Sequence, residues 1–487
     1  MSDIVFTSAL ELSKEVRRKR ISTTEIASAF LRHIEEVNPK INAYVYSNAE
    51  AVRKRALELD ASAMKREFHG PLHGIPFSIK DLTAVKDVPL TFGMVPFKNN
   101  IAKEDATIVR RMNAAGGLFL GMTNTPESGY KGVTDNHLFG PTQNPWKPGY
   151  IAGGSSGGAA AAVAAGLCPI AEGSDGGGSI RIPSSCCGVY GLKPSLGRIP
   201  QTVLPNRYLT FANHGPIART VADAALMLSV TGGQDASDPL SVPGTAQDYL
   251  AEIHKDIVGW RVAWSPDLGF GDVDPEIREI CREAVKAFEE LGCDVEESHP
   301  GWDDPEEAMW QGLWVPTFAG EIDMLDWKAW EGQVDAQLLE LLEEGKRLSA
   351  RDVARADLFR SAMWDRFSVW FRKYDLLVCP TACVEPFENG RFTPKKLDGQ
   401  SLRKQLLGWC LTYPFNMLGT TPAASIPCGF TANGLPVGLQ IIGHPYADAA
   451  VLRASANFEQ VRPWAARRPN LRCSTIGVAG GGTRNDA

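Results

Sequence analysis

Residues 151–166 read IAGGSSGGAAAAVAAG, and the parsing of this stretch decides the fold. Taken as a flexible Gly/Ser linker, it would cut the chain in two. Its second half argues otherwise, because AAAAVAA is strongly helix-forming and places the serines in a turn at a helix N-terminus. Backbone amides and the helix dipole favour negative charge at such a turn, so an anion or phosphate site is one reading. A Walker loop is excluded, since no Gly-Lys-Ser/Thr closes the segment.

Outward from this turn, helical and strand-like patterns alternate. Ser22-Thr-Thr-Glu25 is a capping box, and Ile26, Phe30, Ile34 and Val37 follow at helical spacing until Asn38-Pro39, where the pattern is expected to stop. GPLHGIPFSIKDL, from Gly70, carries a short apolar run that predicts a buried strand ending near Lys80. ATIVRRMNAAG precedes GLFLGMTN, and TVADAALML precedes GWRVAWS, a rhythm that implies an α/β sheet protein. AASIPCGF and PVGLQIIG flank Asn433-Gly434, which predicts a hairpin and therefore a mixed sheet. No linker or charge block divides the chain, so one large domain is expected over residues 1–475, with residues 476–487 a disordered tail. Residues 301–370 carry seven of the twelve tryptophans within helix-favouring sequence, which predicts a helical insertion over about 300–375. Most of those indoles are expected in the core, with aromatic lining of a pocket as the sharper alternative.

Composition narrows the function classes. The 487 residues hold 50 Lys and Arg against 57 Asp and Glu, a net charge of −7 that gives no general pull toward nucleic acid or anionic lipid. A small-molecule partner is the better default. The start MSDIVFTSALELSKEVRRKR has no signal-peptide core, and no apolar run suits a membrane helix, so a soluble cytoplasmic protein is expected. The basic cluster Lys14 to Arg20 reads as a solvated helix face. Ten cysteines over this length suggest reduced thiols, and Cys379 with Cys383 lacks the second pair of a metal site. His69 and His73 are separated by Gly70 and Pro71, which spoil a helical metal pair.

Two hydrolytic readings compete. Gly153 to Gly157 satisfies the G-x-S-x-G elbow of a serine esterase, with Ser155 as nucleophile and His444 as the downstream base. The approach NPWKPGYIA, with two prolines and a glycine, makes a poor strand for such an elbow. The other reading starts from GSDGGGSIR, residues 173–181, where Ser179 follows three glycines but no histidine lies between His137 and His214. Lys80 ends an apolar run, and burial would lower its pKa into the range of a base. Its amine could then take a proton from Ser155, which in turn takes that of Ser179. Gly176, Gly177 and Gly178, with Ser179, would offer backbone amides to the oxyanion, at about 2.7 to 4 kcal/mol per donor.

With these motifs in hand, the chain resembles the amidase signature hydrolases. GGSSGGAAAAVAAG and GSDGGGSIRIPSSCCGVYGLKPSLGR stand in that family's order behind the lysine of GIPFSIKD. The likeness extends through TNTPESGY, FGPTQNPW and HGPIARTVADAA to PFNMLGTTPAASIPCGF and GLPVGLQIIG. The resemblance implies one α/β/α sandwich around a large mixed β-sheet and a Ser-Ser-Lys triad. In that triad Lys80 is the general base, Ser155 the bridging serine behind a cis peptide bond, and Ser179 the nucleophile. It implies an oxyanion hole at Gly176 to Ser179, a pocket-lining backbone at Gly129, and loop supports in Asp175 and Arg181. Gly176 stands where the family usually has a side chain, which would leave extra room beside the nucleophile. The expected substrate is an amide of the aryl or hydrophobic kind, with carbamates and nylon-type oligoamides also in range and no metal or organic cofactor. A transamidosome component that feeds ammonia to a partner is the alternative within the family, and a homodimer is left open.

Overall fold

The computed structural model describes residues 4–202, 206–244, 247–323 and 325–471. The tail expected to be disordered, 476–487, lies outside them. Eleven strands form one sheet among the described residues: β1 (Tyr44–Tyr46), β2 (Pro76–Lys80), β3 (Leu118–Thr123), β4 (Ile170–Asp175), β5 (Tyr190–Lys193), β6 (Asn213–Ala218), β7 (Arg261–Trp264), β8 (Asp294–Glu297), β9 (Leu376–Pro380), β10 (Ala423–Phe430) and β11 (Pro436–Ile442). Their order is β1-β3-β2-β4-β6-β5-β10-β11-β9-β7-β8. The sheet is mixed, as expected: β3, β2 and β4 are parallel, β4 and β6 antiparallel, and β10 and β11 form the hairpin across Asn433-Gly434.

Strands β2, β5, β6, β9 and β11 are buried at every position, so side chains on both faces of the sheet are covered. That is why β9 and β11 read as largely apolar runs and not as alternations. Helices Gly157–Ala164, Arg181–Cys187, Pro275–Glu290 and Asp448–Val461 pack against the strands. The all-alanine face of Gly157–Ala164 is buried throughout, which lets this helix lie close to β4.

One helix boundary differs from expectation. The helix capped by Ser22 runs to Ile41 with Pro39 in its last turn. The ring there forgoes only the bond to the Glu35 carbonyl, and the actual stop is Asn42, left-handed at φ 50°, whose N–H bonds the Asn38 carbonyl at 2.7 Å. The Trp-rich region is helical as predicted, with Val315–Ile322, Ala336–Gly345 and Ala350–Phe371 as its main helices and a π-helical turn at Trp310–Trp314.

Candidate active site

The parallel strands β3, β2 and β4 end at one edge of the sheet, and their carboxyl ends deliver the motif residues. Lys80 is the last residue of β2 and is fully buried. Its Nζ lies 2.6 Å from Ser155 Oγ and 3.0 Å from Ser174 Oγ. Burial pulls this amine down from 10.5 to about 7, against the opposing pull of Glu172 and Asp175. A cis peptide bond joins Gly154 to Ser155. Ser155 and Ser179 line the same cavity, and the loops that carry them are tied by the Ser156 N–H, which donates to the Ser179 carbonyl at 3.1 Å. The Ser179 hydroxyl has no hydrogen-bond partner among the described residues, so it is free to meet a ligand in the cavity.

The turn after β4 is held by a buried ion pair. Asp175 and Arg181 are both fully buried, with Arg181 Nη2 to Asp175 Oδ1 at 2.8 Å and Nε to Oδ2 at 3.0 Å. Burial pushes the Asp175 carboxyl up, but Arg181 and Asn416 outweigh it and hold the group at about 2. The remaining Arg181 donors reach the Thr412 carbonyl, Gln440 and Asn416. Asp175 also accepts from the Gly178 N–H at 2.8 Å and the Ile180 N–H at 3.1 Å. The Gly178 amide is therefore committed to the turn, and the expected set of oxyanion donors reduces to the amides of Gly176, Gly177 and Ser179, which have no partner among the described residues. Gly178 has a different role: at φ +129° it carries the chain past Thr412, whose Oγ1 a Cβ would strike.

The cavity, of about 120 Å³, has an apolar wall made by Leu82, Leu209, Phe211, Trp314 and Phe318. Gly129 lines it at φ +75°, where a Cβ would crowd Leu82 and approach Ser155 Oγ to 3.3 Å. The room expected beside Gly176 is not empty: a Cβ there would meet Trp314 at 3.4 Å and Phe211 at 3.5 Å. Trp314 is the one tryptophan of the insertion that lines this cavity among the described residues, while Trp302, Trp310 and Trp327 are core. Its indole N–H donates to the Tyr130 carbonyl at 3.2 Å. A second tie joins the insertion to the Gly129 loop. Asp335 accepts from Tyr130 Oη at 2.9 Å and pairs with Lys131 at 2.6 Å, Lys131 also pairs with Asp135, and Glu127 accepts the Asp335 N–H at 2.6 Å. His137 joins this acidic group through Glu127 at 2.7 Å, and Lys131 supplies the positive charge within it.

Several expectations are corrected. His444 is remote from Ser155: its Nε2 bonds the Tyr374 carbonyl at 2.8 Å and its ring stacks on Phe371, so no Ser155–His444 pair forms. The helix N-terminus at Gly157 is no anion site, because the Gly157 N–H donates to Thr134 Oγ1 and the Gly158 N–H to the Asn124 carbonyl.

Sequence reading missed Glu172, Ser174 and His214. Glu172, buried on β4, accepts from the Lys80 N–H at 3.0 Å, Thr83 Oγ1 at 3.0 Å and His214 Nδ1 at 2.8 Å, and so fixes the end of β2 against β4 and β6. A glutamate placed directly after the apolar LCPIA, residues 167–171, was the available signal.

Comparison with known proteins agrees with this geometry. The Amidase family model matches residues 25–452. An acylamidase of Rhodococcus erythropolis is 54% identical over 462 residues, covering 95% of this chain and 97% of that one. A glutamyl-tRNA(Gln) amidotransferase chain of Moorella thermoacetica is 35% identical, covering 96% of this chain and 99% of that one. A crystal structure of a bacterial aryl acylamidase of the amidase signature enzymes superposes with a TM-score of 0.90 at 33% identity, covering 95% of this chain and 97% of that one. Fold, motif order and near full-length similarity together establish that the chain belongs to the amidase family, among the amidase signature enzymes.

Proposed function

We propose that this protein is a serine amidohydrolase that cleaves amide C–N bonds through Ser179, Ser155 and Lys80, acting on aryl or otherwise hydrophobic amides such as acylanilides. The observation that carries this reading is the buried Lys80 amine, 2.6 Å from Ser155 Oγ, beside a cavity that Ser179 also lines. With its pKa lowered to about 7, Lys80 is substantially neutral near pH 7 and accepts the Ser155 proton. Ser155 in turn accepts the proton of Ser179 as Ser179 Oγ attacks the carbonyl carbon. The unpartnered amides of Gly176, Gly177 and Ser179 are suited to receive the developing oxyanion. Collapse breaks the C–N bond, and the relayed proton leaves on the amine. Water, deprotonated by the same relay, then releases the carboxylic acid and restores Ser179.

The aryl preference rests on the Trp314, Phe211 and Phe318 wall and on the higher identity to an acylamidase, 54%, than to an amidotransferase chain, 35%. Aryl carbamates and nylon-type linear amides share the planar N–C=O unit and are the next substrates to try. The test is hydrolysis of 4-nitroacetanilide, with short aliphatic amides, a linear aminohexanoate oligomer and an aryl carbamate alongside. Ser179→Ala should lower kcat on the order of 10⁴-fold or more and abolish fluorophosphonate labelling. Turnover near that of the unaltered enzyme in this variant would overturn the triad, and activity confined to short aliphatic amides would overturn the substrate class.

A further inference from the structure

The cavity beside Ser179 holds two buried polar atoms that have no hydrogen-bond partner among the described residues. Glu321, on the helix Val315–Ile322, lines the cavity, and its Oε1 is buried without a hydrogen-bond partner. No charged neighbour compensates it: burial alone pushes the carboxyl up to about 7. His214 lines the same cavity and is 4% exposed. Its Nδ1 is 2.8 Å from Glu172 Oε1, and that carboxylate already accepts from Lys80 N–H and Thr83, so Nδ1 is the donor of this pair. Its Nε2 too is buried without a partner among the described residues.

Buried polar atoms without partners are costly, and those that line a cavity are the ones that water, an ion or a ligand entering it can satisfy. Around them the wall is apolar, through Leu82, Phe211, Trp314 and Phe318. A ligand suited to this cavity has a hydrophobic body and a donor-rich polar end. An ammonium group is such an end, with three N–H donors and a charge opposite to that of a carboxylate.

We infer that Glu321 selects amides that carry an amine in addition to the scissile bond. This inference rests on the hydrolase reading above and names its substrate class. Glu321 is a specificity residue and takes no part in the relay.

Two matched substrate pairs test it on the full chain, one with the amine on the acyl side and one with it on the leaving side. The first sets N-(4-nitrophenyl)-6-aminohexanamide against N-(4-nitrophenyl)heptanamide, and the second 4-(aminomethyl)acetanilide against 4-ethylacetanilide. The expected result is a kcat/KM ratio favouring the amine by about tenfold or more in one pair, falling about tenfold in Glu321→Gln. Glu321→Leu should lower the ratio further. A ratio below one in both pairs, or one that neither variant moves, overturns the inference. Fluorophosphonate labelling of Ser179 separates the two levels: labelled enzyme without amine preference sinks the inference alone, whereas enzyme that neither labels nor hydrolyses any of the four amides sinks the hydrolase reading beneath it.

Discussion

The loop that carries Ser179 and the helix that carries Trp314 line one cavity, yet they are held in opposite ways. Around the loop, Asp175 and Arg181 satisfy each other, backbone amides and three further side chains or carbonyls, all out of contact with water. The helix is held through Trp314, which packs on Phe211 and donates one indole N–H bond to the Tyr130 carbonyl, and it carries a carboxylate with an oxygen unmet among the described residues. A polar network with every member satisfied admits one arrangement, whereas an apolar wall tolerates repacking. The loop is thus held by charge, and the wall facing it mainly by packing.

The largest expected effect comes from breaking the first arrangement. Arg181→Met leaves the Asp175 carboxylate buried and unpaired, and should destabilise the protein by about 3–5 kcal/mol in urea denaturation. A loss below about 1 kcal/mol would mean that the loop is held by packing, like the helix.

The pH dependence sharpens the same contrast. With the neutral amine of Lys80 as the proposed base, kcat/KM should rise about tenfold per pH unit below about 7 and level off above it. Lys193, also fully buried, is pulled by burial to about 7 but donates to the Pro194 and Gly419 carbonyls. Both lysines release their protons near 7 when folded and near 10.5 when unfolded, so the unfolded chain binds more protons in between. Stability should therefore rise with pH across that window. Lys193→Met should flatten the stability trend and leave the inflection of kcat/KM in place; an inflection that moved with Lys193 would reassign the base.

The smallest effect is expected at the contact between the two regions. Gly176→Ala places a methyl against Trp314 and Phe211 at ordinary van der Waals distance. It should lower kcat/KM for an anilide a few-fold, about 1 kcal/mol or less, and leave acetamide unaffected. Equal losses on both substrates would indicate that the methyl disturbs the oxyanion amides.

How much of this was legible in the sequence follows from the same physics. β2, β3 and the β10–β11 hairpin were readable because strands buried on both faces leave unbroken apolar runs. The edge strand β8, DVEE, is exposed at three of its four positions and pairs through its backbone alone, so it leaves no pattern. Lys80, Ser155 and Ser179 were readable because glycines and a strand-ending lysine are rare local choices. Glu172, His214 and Glu321 acquire meaning only when strands far apart in sequence align and the insertion folds over them. That Gly178 would spend its amide on Asp175 is likewise invisible until the turn closes.

The pairing of Asp335 with Lys131 and Tyr130 bears on how such enzymes are recombined. The insertion is the natural segment to exchange between relatives when a new specificity is wanted. Its docking partners lie some two hundred residues upstream, in the ESGYKG stretch that contains Gly129, so a chimera that moves residues 302–371 alone keeps the Asp335 pairing only where the recipient also supplies Tyr130 and Lys131. A swap that carries both segments keeps this tie whatever the recipient.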